Sequence, residues 1–228
     1  MHLRLLRRSL SLLLVPLVVA GGSILAYGQG DIRKVADAVD HRYNGLHSMQ
    51  AQFTEQYSGA GMERMESGIL SLKKPGKMRW EYQTPRAKIF VSDGKLAWFY
   101  VPGENQARQT QVKKLDDLRT PLRYLLGHTK LEKEFTGLSL APDVKPLHSG
   151  DTMLRGVPAS MADRVSQVLL EISPENRIAR LVVEELDGSR TEFEFTAEKD
   201  DPALPDAHFA FKPPEGVEIL QGSELTAP

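Results

Sequence analysis

GILSLKKPGKMRWEYQTPRAKIFVSDGKLAWFY, residues 68–100, decides the fold. Met78, Trp80 and Tyr82 alternate with Lys77, Arg79 and Glu81, the period of two that marks a strand with one buried face. Lys74-Pro75-Gly76 and Ser92-Asp93-Gly94-Lys95 read as tight turns, and Asp93-Gly94 supplies the positive φ that a short hairpin requires. The stretch is therefore read as four short antiparallel strands. In the last of them Leu96, Trp98 and Tyr100 point one way, and Ala97, Phe99 and Val101 the other. Both faces are apolar, so both need a cover. One cover is the protein core; the other is expected to be a cavity that holds an apolar ligand.

Upstream, residues 31–46 read as an amphipathic helix. Ile32, Val35, Val39 and Leu46 share one stripe, Asp31 is placed to cap the start and Gly45 lies near the end. Residues 49–57 alternate as a strand, and 58–64 read as a flexible glycine-containing link. Downstream, the glutamine-rich stretch 106–112 reads as a solvent-facing edge strand. Residues 116–127 carry a helix signature, with Thr120 as N-cap, Pro121 in the first turn, Gly127 at the end and Leu118, Leu122, Leu125 and Leu126 on its apolar side. Residues 138–147 hold Pro142 and Pro146, which suits an interrupted or edge strand. Residues 165–172 and 178–186 pair around Ser173-Pro174-Glu175-Asn176, and Asp187-Gly188 turns into a strand with Phe193 and Phe195 on one face. About ten or eleven strands with two or three helices result, in a single domain over 29–228.

The first 28 residues read as a cleaved secretory signal. Arg4, Arg7 and Arg8 precede an apolar run from Leu10 to Ala20, and Ala26-Tyr27-Gly28 is a plausible cleavage triplet. The run is short for a membrane span, and Gly21-Gly22 interrupts it. The chain has no cysteine, so neither a disulfide nor a lipid-bearing cysteine is available, and a soluble, monomeric mature protein is expected. A net charge of −1 argues against a nucleic-acid partner.

Catalytic constellations are missing from the pattern. His2, His41, His47, His128, His148 and His208 do not pair at metal-ligand spacing, and no phosphate loop, GxSxG elbow or GxGxxG is present. The acidic pairs Glu184-Glu185 and Asp200-Asp201 lack a visible partner for acid–base work. No metal, no cofactor and no enzymatic activity are expected.

Four blocks, LKKPGKMRWEY (72–82), VSDGKLAWFY (91–100), TPLRYLL (120–126) and FAFKPPEGV (209–217), give the chain its family likeness. In their order and spacing it resembles the periplasmic outer-membrane lipoprotein carrier family, LolA, over essentially the whole mature chain. The resemblance implies an incomplete antiparallel β-barrel of about eleven strands, with helices forming a lid over a hydrophobic cavity for lipoprotein acyl chains. It implies two partners besides the acylated lipoproteins: an inner-membrane ABC-type lipoprotein-releasing complex and an outer-membrane lipoprotein receptor. Met78 and Trp80 match cavity-facing positions; Leu70, Leu72, Val91, Trp98, Tyr100, Leu122 and Leu125 complete the expected lipid-binding set. The family often has an arginine before the proline of the turn, where it latches the lid. Lys74 stands there beside Pro75, keeping the charge without the planar fork. Two other readings compete: a periplasmic lipid-sensing regulator with the same half-barrel, and a lipid-active hydrolase, which the missing nucleophile disfavours.

The signal reading makes a direct prediction. N-terminal sequencing of the exported protein should find a start between Tyr27 and Asp31, whereas an intact Met1 in the periplasmic fraction would contradict it.

Overall fold

A computed structural model describes residues 26–114 and 130–222, with backbone alone for 26–30 and 114. Helix α1 (Ala26–Gly45) is followed by β1 (Ser48–Gly59), β2 (Met62–Lys73), β3 (Lys77–Thr84), β4 (Lys88–Asp93), β5 (Leu96–Tyr100) and β6 (Gln106–Gln111). After the short helix α2 (Leu131–Glu134) come β7 (Phe135–Leu140), β8 (Thr152–Pro158), β9 (Val165–Ile172), β10 (Ile178–Glu185), β11 (Arg190–Asp200) and β12 (Glu218–Gln221). The strands form one open twelve-stranded sheet in the order β12-β6-β5-β4-β3-β2-β1-β11-β10-β9-β8-β7. Every pairing is antiparallel except β12 on β6, which is parallel. The architecture is α+β, an incomplete barrel rather than a closed one.

The register shows which side chains share a face. Leu70 lies opposite Trp80, Trp80 opposite Phe90 and Phe90 opposite Phe99; Leu72 lies opposite Met78. On the other half of the sheet Leu154, Leu170 and Leu181 follow one another across β8, β9 and β10. These residues, with Met49, Ala51 and Phe53 of β1, form the main core, and α1 lies over them. The helix buries Ile32, Ala36, Val39 and Tyr43, with Val35 and Leu46 at the margin. The expected stripe is thus rotated slightly toward Ala36 and Tyr43.

The opposite face, called outer below, is covered by the chain itself in two places. Residues 141–151 lie over β8–β10, where Ala141, Met153, Leu169 and Val182 form a second small core. Over β3–β5 lies the C-terminal segment, with the turn Asp206–Phe209 touching β3 and β4 and the Phe211 ring 5.5 Å from that of Tyr100. Lys73 and Lys77 clasp this segment through Asp206, at 2.8 and 2.6 Å, and hold its carboxyl down to about 2.

Two expectations are corrected, and one strand is added. The link expected at 58–64 is a hairpin: β1 and β2 pair without a break as far as Gly59 opposite Met62. Only Ala60 and Gly61 remain for the turn, both with positive φ (49° and 74°), the geometry of a two-residue loop that matches strand twist. The glutamine-rich β6 is not an edge, because β12 pairs along it; the edges are β12 and β7. The strand β8 was not anticipated, although TMLRGVP places Met153, Arg155 and Val157 in alternation with Leu154 and Gly156. The helix expected at 116–127 lies outside the described residues, as does most of the signal segment.

One glycine governs the central pairing. Gly68 sits on the inner face between Phe53 and Tyr82, whose rings close over it at 4.8 Å between centroids. A Cβ there would stand 2.0 Å from the Glu81 carbonyl oxygen, a backbone atom that cannot swing away. Gly68→Ala is expected to destabilise the protein by about 1–3 kcal/mol or more through overpacking, read as a lower midpoint in urea unfolding. An unchanged midpoint would mean that the β2–β3 pairing is looser than described.

Candidate functional site

The inner face of β1–β4 and β11 is an aromatic wall. Trp80 packs edge-on against Phe53, with centroids 4.6 Å apart, and tilted against Phe193 at 5.6 Å. Phe193 and Phe195 stack on each other at 6.2 Å. Such rings bury large apolar areas while leaving few rotamers to order. Leu70, Leu72 and Met78 extend the surface toward the end where α1 terminates, all 3% exposed or less.

At the other end the wall stops at charges. Glu55 is 1% exposed and accepts a hydrogen bond of 2.7 Å from the Tyr82 hydroxyl. Burial pushes Glu55 above the usual carboxylate range, against the pull of Tyr82 and Arg64. Beside it, Glu66 is held by Lys88 at 2.7 Å and Arg64 at 2.9 Å. The apolar surface therefore has a satisfied polar boundary rather than an open end.

The helix over the wall is fastened by polar contacts near its C-terminus. The Tyr43 hydroxyl donates to Glu198 at 3.1 Å and accepts from the Ile178 N–H at 2.9 Å. Arg42 reaches Glu198 at 2.7 Å and Asp200 at 2.6 Å, and Asp40 accepts from the Leu131 N–H at 3.1 Å. The fourth fastening is Lys74: its Nζ donates to the carbonyl oxygens of Tyr43 (2.7 Å) and Asn44 (2.9 Å). Those carbonyls belong to the last turn of α1, where the helix has no internal donors and its dipole favours a cation. Burial depresses the pKa of Lys74. Pro75 shapes the turn that presents this ammonium, and the turn packs against Gly94 of the next hairpin.

The expected lipid-binding set divides between two faces. Leu70, Leu72, Met78 and Trp80 come together on the inner face, in the same core as the buried residues of α1. Val91, Trp98 and Tyr100 lie on the outer face: Arg79 opposes Val91, and Val91 opposes Trp98. There Trp98 and Tyr100 pack against Phe211. The second apolar face of β5 is thus covered by the chain's own C-terminal segment, which corrects the expectation of a cavity on that side. Leu122 and Leu125 lie outside the described residues. Phe53, Tyr82, Phe90, Phe193 and Phe195 were missing from the expected set; the alternation in 49–57 and the Phe193/Phe195 pair carried the signal. Asp200 and Asp201 hold structure, Asp200 pairing with Arg42 and Arg177 and Asp201 accepting from the N–H groups of His47 and Ser48.

Residues 44–212 match the family described as outer membrane lipoprotein carrier protein LolA. The chain belongs to this family. A carrier protein of Chromobacterium violaceum is 28% identical over 180 residues, covering 78% of this chain and 84% of that protein. One of Nitrosospira multiformis is 30% identical over 156 residues, covering 68% and 72%. A solved LolA superfamily protein from Nitrosomonas europaea shares 12% identity and a TM-score of 0.44, over 79% of this chain and 97% of that one.

The latch geometry gives a prediction. Lys74→Leu removes two hydrogen bonds from a charged donor, each worth about 1.5–3 kcal/mol when well formed. Amide exchange in the last turn of α1 should accelerate by at least tenfold, about 1.4 kcal/mol of local opening, while Lys74→Arg keeps most of the protection. Unchanged exchange in Lys74→Leu would reduce Lys74 to a surface turn residue.

Proposed function

We propose that this chain is a periplasmic carrier that shields the acyl chains of lipoproteins and moves them from the inner to the outer membrane. Membership of the carrier family supports the role, and the inner-face aromatic wall, which shares its core with a helix held at its C-terminal end by polar contacts, supports the site. A sixteen-carbon chain has about fifteen methylenes, and at ~0.8 kcal/mol each its exposure to water costs roughly 12 kcal/mol. Such a passenger cannot wait in water; it must pass between apolar surfaces by contact. In this reading cargo arrives from an inner-membrane ABC-type releasing complex and leaves to an outer-membrane receptor, and the carrier needs no catalysis, metal or cofactor for the transfer. Among the described residues no helix is long and apolar enough to cross a membrane. The sensor reading is not favoured, since the curated relatives carry the carrier description.

In this mechanism Leu70, Leu72, Met78 and Trp80 contact the acyl chains, and Phe53, Phe193 and Phe195 back the Trp80 ring. The helix trades its apolar contacts for those of the cargo, and Lys74 sets how readily its C-terminal end lifts.

The two tryptophans occupy opposite faces, which allows a direct test. Trp98→Phe leaves Trp80 as the sole tryptophan reporter, and Trp80→Phe leaves Trp98. A lipopeptide with brominated acyl chains should quench Trp80 emission and leave Trp98 emission unchanged. Quenching of Trp98 alone would move the acyl site to the outer face. Failure to quench either would remove the acyl site from this sheet.

A further inference from the structure

A second cluster of chemistry lies on the outer face of β8–β10, away from the apolar wall. Glu171 of β9 points outward between Met153 and Arg180 and is fully buried beneath residues 141–151. Its Oε1 accepts from the His148 N–H at 3.0 Å, and its Oε2 stands 2.8 Å from Arg180 Nε. The Arg180 contact is close but poorly aligned, leaving Glu171 Oε2 without a formed hydrogen bond. Arg180 is also shared with Glu192 at 3.4 Å.

Asp151 joins this cluster with its side chain 5% exposed. Among the described residues the basic side chain nearest its carboxylate is the exposed His148 ring, whose Nδ1 stands 3.9 Å from Oδ2, beyond hydrogen-bond reach. Its other close neighbour is the carboxylate of Glu171. Glu192 also pairs with Arg190, which leaves Arg180 to balance the two buried carboxylates of Glu171 and Asp151, and one negative charge lacks a partner. His148 Nδ1 is 3.5 Å from Glu171 Oε1, and one ligand atom from each of the three residues falls within 4.8 Å of the others.

We propose that His148, Asp151 and Glu171 bind a divalent first-row transition-metal ion of the Zn2+ type. Metal–ligand bonds of about 2.0–2.1 Å in a tetrahedron separate the ligand atoms by about 3.3–3.4 Å, so the observed 3.5 and 3.9 Å spacings need only a slight closure. An imidazole with two carboxylates suits Zn2+ better than Ca2+ or Mg2+, which favour all-oxygen shells. Arg180 and the His148 N–H orient Glu171 from behind, as groups beyond the ligands do at metal centres. The fourth position opens toward solvent beside His148, which is 65% exposed. The ion would supply the missing positive charge and pin residues 141–151 to the sheet. Spacing along the sequence hid the site: His148 and Asp151 are three apart, but Glu171 arrives only through the pairing of β8 with β9.

The test uses tag-free, chelator-stripped protein titrated with ZnCl2 by calorimetry, with thermal unfolding followed with and without Zn2+. One equivalent should bind and raise the Tm. His148→Ala and Asp151→Asn should each weaken binding at least about tenfold and abolish the Zn2+-dependent rise in Tm. Both substitutions leave the Glu171–Arg180 pair intact, so the fold is retained. His47→Ala, at an exposed histidine beside Asp201, should behave as the parent. No binding by the parent, or equal affinity and Tm rise in Asp151→Asn, would overturn the site and leave a proton shared by the two carboxylates as the charge balance.

Discussion

A single sheet with apolar side chains on both faces must find two covers, and this constraint shapes the rest of the molecule. Strands β2–β5 pose it most sharply, with Leu70, Trp80, Phe90 and Phe99 in line on one face and Val91, Trp98 and Tyr100 on the other. The outer cover is built from the chain nearby in space: residues 141–151 on one half and the segment ending at Phe211 on the other. Salt bridges from Lys73 and Lys77 hold that segment as a fixed layer. Among the described residues the inner face shares its core with α1 and with Leu131 of α2.

The two covers differ in kind. The helix contributes Ile32, Ala36, Val39 and Tyr43 to the core, a modest apolar stripe. Its position depends as much on Arg42, Tyr43, Asp40 and Lys74, which grip backbone or carboxylates around one end. Hydrogen bonds of this sort are directional and can be exchanged with water at modest net cost, whereas the apolar wall beneath must always touch something greasy. In the proposed mechanism an acyl chain replaces the helix's own contacts with little change in buried apolar area. Loading and release can then stay close to balance, as a carrier without a fuel of its own requires.

Much of this was legible in the sequence because short-range rules govern hairpins. The turns at Lys74-Pro75-Gly76, Asp93-Gly94 and Asp187-Gly188, and the alternation between them, define their strands without reference to the rest of the chain. Alternation separates two faces but does not say which one the helix covers, so Val91, Trp98 and Tyr100 were grouped with residues they do not meet. The parallel pairing of β12 with β6 joins segments more than a hundred residues apart and has no local signature. Glu55 and Glu171 look like ordinary strand carboxylates in the sequence. Only the register shows the first under the Tyr82 hydroxyl and the second beneath the loop that carries His148.

An open sheet keeps two edges, and edges invite pairing with other chains. Here one edge is the four-residue β12, which occupies the hydrogen-bonding groups of β6 and offers little length beyond itself. The other is β7, six residues long and broken by a register shift beside Gly137, whose φ is +68°. Both ends of the sheet are therefore poor templates for strand addition. In the proposed mechanism the inner cover lifts again and again, and each lifting exposes apolar surface. With blunted edges, two such molecules meeting in that state lack the backbone ladder that would turn a passing apolar contact into a fibril.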